Sequence, residues 1–292
     1  MSKLEKLKAL REDSLLINSL SKLEEFLKKS EQRRCTYAWA DTICINKESS
    51  AELDESIRSM FAWYQDSHVC IVYLSETTNC FDMERDPWFT RGWTLQELLA
   101  PRQLAFYSKK WRQITSKDSE KHPVGEGEKY IKKGNIGGGY GGKPGDSGGL
   151  KKKTQDDTGE ESLWPTIAKI TGIGIEDLLN FKPGLYDIGK RMTWASTRTT
   201  TRTEDMAYCL IGIFDINLSI AYGEKEKAFY RLQVEILQNS DDKTLFDWQG
   251  DASNYSSMLA ASPACFSSRF DLHAIKSPMV GGDRALTLTS IG

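Results

Sequence analysis

The sequence predicts an α/β fold, with a parallel sheet flanked by helices and followed by a helical C-terminal part. Three observations predict it. Short runs rich in β-branched and aromatic residues alternate with amphipathic helical stretches between residues 36 and 108. Four further segments with helical apolar spacing follow residue 162. At 292 residues, 39% of them hydrophobic and 10% aromatic, the chain has the material for a substantial core.

Taken in order, residues 3–30 space Leu4, Leu7, Leu10, Leu16, Leu20, Leu23 and Leu27, with Phe26 beside them, as one face of a helix. That face is expected to pack on the domain. TYAWADTICI (36–45) reads as a buried strand ending in a polar turn. Ser49 and Glu52 then form a capping box, and Ile57, Met60, Phe61 and Tyr64 share one face of the helix that follows. VCIVYLS (69–75) is a second apolar strand, so strand, helix and strand imply parallel pairing with right-handed crossovers. GWTLQELLAP (92–101) gives a short helix stopped by Pro101, and QLAFYS (103–108) a third strand. Helical segments are expected over 163–180, 188–196, 202–214 and 223–240.

These elements divide the chain into a helical segment (1–35), an α/β half (36–119), a glycine- and lysine-rich insertion (120–162), a helical half (163–250) and a tail (251–292). The insertion has almost no large apolar residue with which to offset the entropy of ordering, so it is expected to be flexible.

Composition excludes several function classes. The 39 basic residues nearly balance the 41 acidic ones, leaving no global field to hold nucleic acid or an anionic membrane. No apolar run approaches the roughly 20 residues of a membrane helix, and the charged N-terminus carries no signal-peptide core. A cytoplasmic protein without a membrane span is expected. The six cysteines are scattered and are expected to be reduced and buried, and three histidines offer little for a metal site. Two motif-like runs in the insertion are coincidences. Gly137 to Lys143 begins like a phosphate loop, but Pro144 stands where Ser or Thr should hold magnesium. Gly145 to Gly149 reads G-D-S-G-G without the His and Asp such a nucleophile needs.

The informative stretch is DPWFTRGWTLQELLAPRQ (86–103). Trp93 and Glu97, four apart on a helix, share one face, while Leu95, Leu98 and Leu99 point elsewhere. The helix follows a strand's carboxyl end, where open α/β sheets bind ligands. Spacing alone favours a core tryptophan and a surface glutamate paired with Arg91 or Arg102.

Three blocks carry a longer likeness: YAWADTICINKESSAELDESIRSMFAWYQDSHVCIVYLS, WFTRGWTLQELLAPRQLAFYSKKW, and the run from ITGIGIEDLL through RMTWASTRTTTRTEDMAYCLIGIF to TLFDW. Together they resemble a fungal heterokaryon-incompatibility (HET) domain over 36–113 and 163–248. The family's usual opening strand, with its Ser-His-x-Trp-Gly motif, is not seen ahead of the first block. The resemblance implies an effector of non-self recognition and programmed cell death, acting beside a sensor of the NLR type or an oligomerisation module, with self-association as a partner mode. HET domains in turn resemble Toll/interleukin-1 receptor (TIR) domains of flavodoxin-like fold, some of which cleave NAD using a glutamate in a Trp-x-x-x-Glu helix. Trp93 and Glu97 match that pattern. The resemblance thus makes Glu97 the candidate catalytic residue, NAD a substrate rather than a cofactor, and Trp93, Asp41, Arg91, Arg191, Trp194 and Arg198 candidate ligand-binding residues. For several of these the residues also allow structural roles: Asp41 as a loop cap, Trp194 as core, and Arg191, Arg198 and Arg202 in an ion-pair network with Glu204 and Asp205. The alternatives to catalysis are a non-enzymatic signalling module and an inactive, degenerate member.

Overall fold

The computed structural model describes residues 14–115, 131–132 and 163–267. Helix α1 (Ser14–Gln32) leads through an irregular stretch to a one-turn helix α2 (Asp41–Cys44) and then to α3 (Ser50–Asp66). Ser49 caps α3 by accepting a bond from the Glu52 N–H at 3.3 Å; the Glu52 carboxylate reaches back to the Asn46 N–H at 3.1 Å rather than to Ser49. Ile57, Met60 and Phe61 form the buried face of α3. Strand β1 (Cys70–Tyr73) runs parallel to β2 (Gln103–Tyr107), with Cys70 opposite Leu104 and Tyr73 opposite Tyr107. Between them lie two 3₁₀ turns, Met83–Arg85 and Pro87–Thr90, and helix α4 (Thr94–Leu99). The expected α/β character is therefore present as a parallel strand pair with helices around it.

Residues 36–45 depart from the expected buried strand. Thr36–Ala40 is irregular, α2 follows, and within 36–45 only Ile45 is buried. Among the described residues no strand pairs with this β-branched and aromatic run, and Asp41 sits where a carboxylate favours the start of a helical turn. Tyr37 is 91% exposed as a result. Cys44 is exposed and Cys35 half-buried, contrary to the expectation that all six cysteines lie inside; Cys70, Cys80, Cys209 and Cys265 are buried, and all six are free thiols.

Helix α1 also packs differently from expectation. Leu20 and Leu27 face solvent, while Lys22 lies over the Tyr73 ring and Lys29 and Arg33 over that of Tyr107. Arg33 donates to the Tyr107 hydroxyl at 3.0 Å. Cations on aromatic faces, rather than the leucine stripe, hold this helix to the sheet.

Of the insertion, Ile131–Lys132 forms a two-residue strand β3, antiparallel to Gln103–Leu104. The motif-like run 137–149 and the remainder of 116–162 lie outside the described residues, as do 268–292.

The helical half begins with α5 (Trp164–Thr171), ended by Gly172 in the left-handed region at φ 69°, and α6 (Ile175–Asn180). Helix α7 (Ile188–Ala195) follows, then the short α8 (Asp205–Tyr208) and α9 (Ile211–Phe214), and α10 (Lys227–Asn239). The free N–H groups opening α7 are satisfied by the following segment: Asp242 accepts from Ile188 and the Thr244 hydroxyl from Gly189, each at 2.9 Å. A small hairpin, β4 (Ala252–Ser253) and β5 (Ser256–Ala260), and a 3₁₀ turn Pro263–Phe266 complete the description. The two halves share one core, which runs from Ile57 and Phe61 through β1 and β2 to Phe214, Leu232 and Phe266. At their seam α9 lies directly on α3, so close that a Cβ on Gly212 would stand 2.3 Å from Phe61 Cβ. Among the described residues no helix is long and apolar enough to cross a membrane, and no group of His, Cys, Asp and Glu is arranged to hold a metal ion.

Candidate functional site

Glu97 sits near the end of α4, and the chain before that helix is fixed from several directions. The Asp86 carboxylate accepts from the Trp88 N–H at 3.1 Å, opening the second 3₁₀ turn. Its other oxygen accepts from the Glu76 N–H and the Thr77 hydroxyl at 2.9 and 3.0 Å. Gly92 has no room for a side chain, because a Cβ would stand 2.5 Å from Thr200 Cγ2. Its N–H donates to the Thr199 carbonyl at 2.8 Å and the Thr199 N–H donates to Thr90, a short parallel bridge that joins the two halves.

Within this frame the Trp88 indole N–H donates to Glu97 Oε2 at 3.1 Å. The Tyr64 phenol, from the end of α3, lies within hydrogen-bonding reach of the same carboxyl. Glu97 keeps a partial opening to solvent, yet protein surrounds it closely. Burial pushes its carboxyl above the ordinary glutamate range; the Trp88 bond opposes the shift, the charge of Asp41 adds to it, and Arg91 and Tyr64 oppose it. Tyr64 is itself pushed well above the usual tyrosine range, first by burial and then by the charge of Glu97, with Cys70 and Asp41 adding. Trp39 meets Tyr64 edge to face at 5.7 Å and Trp63 at 5.3 Å. The arrangement is a desolvated carboxyl held by two aromatic donors beside a second, exposed carboxylate.

The sequence-predicted residues do not share one place. The charges of Asp41 and Arg91 both reach Glu97, in opposite senses. Trp93 does not supply the indole at Glu97: its N–H goes to Asp205, which also accepts from the Tyr222 hydroxyl at 2.8 Å. Arg198 is buried behind α4. Its Nη1 donates to the Arg91 carbonyl and the Thr94 hydroxyl, both at 2.9 Å, and its Nε to the Trp194 carbonyl at 3.1 Å. Burial lowers its guanidinium to about 10, with Cys209 and Glu97 opposing. It therefore braces the loop carrying Arg91.

Arg191 and Trp194 line a different depression of about 140 Å³ with Phe181 and Tyr186. There Arg191 donates to the carbonyls of Lys182, Gly184 and Ile213 and stacks 3.9 Å over the Tyr186 ring. A second depression of about 450 Å³ lies between Arg58 and Arg231. Glu97 lines neither. Instead of an ion-pair network, Glu204 accepts from the Gly223 and Lys225 N–H groups, and Arg202 lies over the Tyr222 ring at 4.3 Å.

Residues 3–85 match the family model described as heterokaryon incompatibility protein (HET). The chain is also 37% identical over 223 residues to the vegetative incompatibility protein HET-E-1 of Podospora anserina. Both matches support a heterokaryon-incompatibility (HET) domain in this chain. The alignment covers 72% of this chain and 13% of HET-E-1, so the chain corresponds to a small part of that protein. No solved structure matches it. The HET match takes in α1, Trp39, Asp41 and Tyr64 but ends before Trp88 and Glu97. Sequence reasoning missed Tyr64 and Trp88 as neighbours of Glu97, and Trp39 as a neighbour of Tyr64. Tyr64 was legible as the last apolar position of α3; which of two nearby tryptophans reaches Glu97 depends on the Asp86 cap and on Asp205, and neither leaves a spacing signal.

Proposed function

We propose that this HET chain is an effector of heterokaryon incompatibility, and that it drives cell death by hydrolysing NAD at the nicotinamide–ribose bond with Glu97 as the catalytic residue. The observation that carries the chemistry is the desolvated Glu97 carboxyl, held by Trp88 and Tyr64 and raised further by Asp41. The reading is supported by a parallel strand pair with α4 following the first strand, and takes the chain to be distantly TIR-like.

In this reaction the bond breaks with its electron pair leaving on the ring nitrogen, so the pyridinium becomes neutral nicotinamide. Positive charge develops on the ribose, water adds to that carbon, and a proton is released. A carboxylate kept short of water is stabilised by such developing charge more than by the ground state, and that difference lowers the barrier. Trp88 and Tyr64 keep the carboxyl oriented toward it. The test is NAD consumption by purified protein and by Glu97→Gln; equal rates in the two would end the catalytic reading.

A second reading, a non-enzymatic module that assembles with copies of itself or with an NLR-type sensor, is favoured by the outward leucines of α1, Leu20 and Leu27. Toxicity that survives Glu97→Gln but is lost in Leu20→Glu with Leu27→Glu would select it.

A further inference from the structure

We propose that Trp39 and Asp41 form the binding subsite for the leaving group at Glu97, a platform selective for a planar cationic ring of the N-alkylpyridinium class. The inference rests on the reading of Glu97 given above and goes beyond it by naming the residues that would take the ring.

Trp93, the indole that the sequence pairs with Glu97, is turned to Asp205, and Trp88 spends its N–H on Glu97 while lying 8% exposed under Phe89 and Phe106. Trp88 is thus too buried to receive a ring from solvent, and Trp93, though half-buried like Trp39, is tied to Asp205. Trp39 is placed differently from both. It keeps part of its surface open and stands one aromatic contact from the catalytic carboxyl, through Tyr64. Its own orientation is fixed by two roughly perpendicular neighbours, Trp63 and Tyr64. This exists because residues 36–45 leave the sheet; as a buried strand the segment would have hidden the indole.

The charges point to a cation. Asp41, two residues on from Trp39, is exposed, and its negative charge is felt at both Glu97 and Tyr64. A neutral ring would gain only stacking there. A pyridinium gains cation–π attraction as well, about 0.5–2 kcal/mol or roughly two- to thirtyfold in affinity, plus attraction to Asp41. Once the bond breaks the ring is neutral and loses both, which favours its release. Trp39 and Asp41 thus serve binding, and Glu97 serves the chemical step.

The experiment is calorimetric titration of the full chain carrying Glu97→Gln, which binds without turnover, against NAD⁺, NADH and 1-methylnicotinamide. NAD⁺ is expected to bind more tightly than NADH, whose ring is uncharged. Trp39→Leu should weaken NAD⁺ about tenfold and erase the preference, Trp39→Phe should retain most of it, and Asp41→Asn, at an exposed position, should weaken NAD⁺ several-fold and reduce the salt dependence. NAD⁺ affinity unchanged in both Trp39→Leu and Asp41→Asn, with wild-type protein still consuming NAD, would overturn the subsite and leave the reaction standing. If wild type neither binds nor consumes NAD, the reaction fails, and 1-methylnicotinamide then decides the subsite: binding that needs Trp39 supports it, and no binding overturns it.

Discussion

Replacing Gly212 by alanine sets two effects of opposite sign against each other at the seam between the halves. Gly212 lies in α9 with an ordinary negative φ, so alanine is compatible with the backbone and gains about 1 kcal/mol of helix propensity. The added methyl would stand 2.3 Å from Phe61 Cβ and 2.7 Å from its Cγ, where relaxed carbon contacts are roughly 3.5–4.0 Å. The nearest atom is a Cβ rather than the end of a flexible chain, so α3 and α9 must part. Overpacking of this kind costs about 1–3 kcal/mol, and here the upper end applies. The net expectation is a loss of about 2 kcal/mol, which for a domain of this size lowers the melting midpoint by roughly 4–8 °C. Thermal and urea unfolding followed by circular dichroism measure it. A midpoint equal to or above that of wild type would mean that propensity wins and that the two halves do not approach as closely as argued.

Arg198→Met should cost about 3 kcal/mol or more, since it strips the carbonyls of Arg91 and Trp194 of a buried charged donor; urea unfolding reads the loss. Glu97→Gln should be more stable than wild type at neutral pH. A carboxyl whose folded pKa lies above its unfolded value contributes most below the unfolded pKa and loses that contribution as pH rises through the folded one. The stability difference between the two proteins should therefore shrink as pH falls below the usual glutamate range, and an advantage that instead grew in acid would contradict the burial of Glu97. In the native protein Cys44 should react with a maleimide ahead of Cys70, Cys80, Cys209 and Cys265, as peptide mapping would show; protection of Cys44 would restore the buried strand.

How much of this was legible in the sequence differs from element to element. Helix α3 was fully so, because Ser49 and Glu52 mark its start and Ile57, Met60 and Phe61 its buried face. Strands β1 and β2 were legible as short apolar runs, but the parallel pairing was expected between 36–45 and β1, whereas the structure pairs β1 with β2. The segment 36–45 has the composition of a strand but no partner among the described residues, and composition cannot report a missing neighbour. Helix α1 was legible as a helix and misread in orientation: its leucine stripe suggested the packing face, whereas the tyrosines waiting on β1 and β2 favour its cations. At the site, Glu97 and Asp41 could be named from their places beside predicted strand ends; the strand before Asp41 does not form, though its charge still reaches Glu97. The indole beside Glu97 was assigned to Trp93 on helical spacing, but that spacing says nothing of Asp205, which draws Trp93 away from more than a hundred residues downstream. Arg191 and Arg198 were legible only as cations; that each spends its donors on carbonyls of the fold is a tertiary fact.

If Glu97 performs the chemistry, its carboxyl is required and not merely its place in the fold. The NAD consumption rate of purified wild-type protein is measured beside Glu97→Gln, with unfolding curves taken on the same samples. Turnover is expected in wild type and none above background in a variant that is as stable or more so. Turnover that persists in Glu97→Gln, or no turnover in folded wild type, would contradict it.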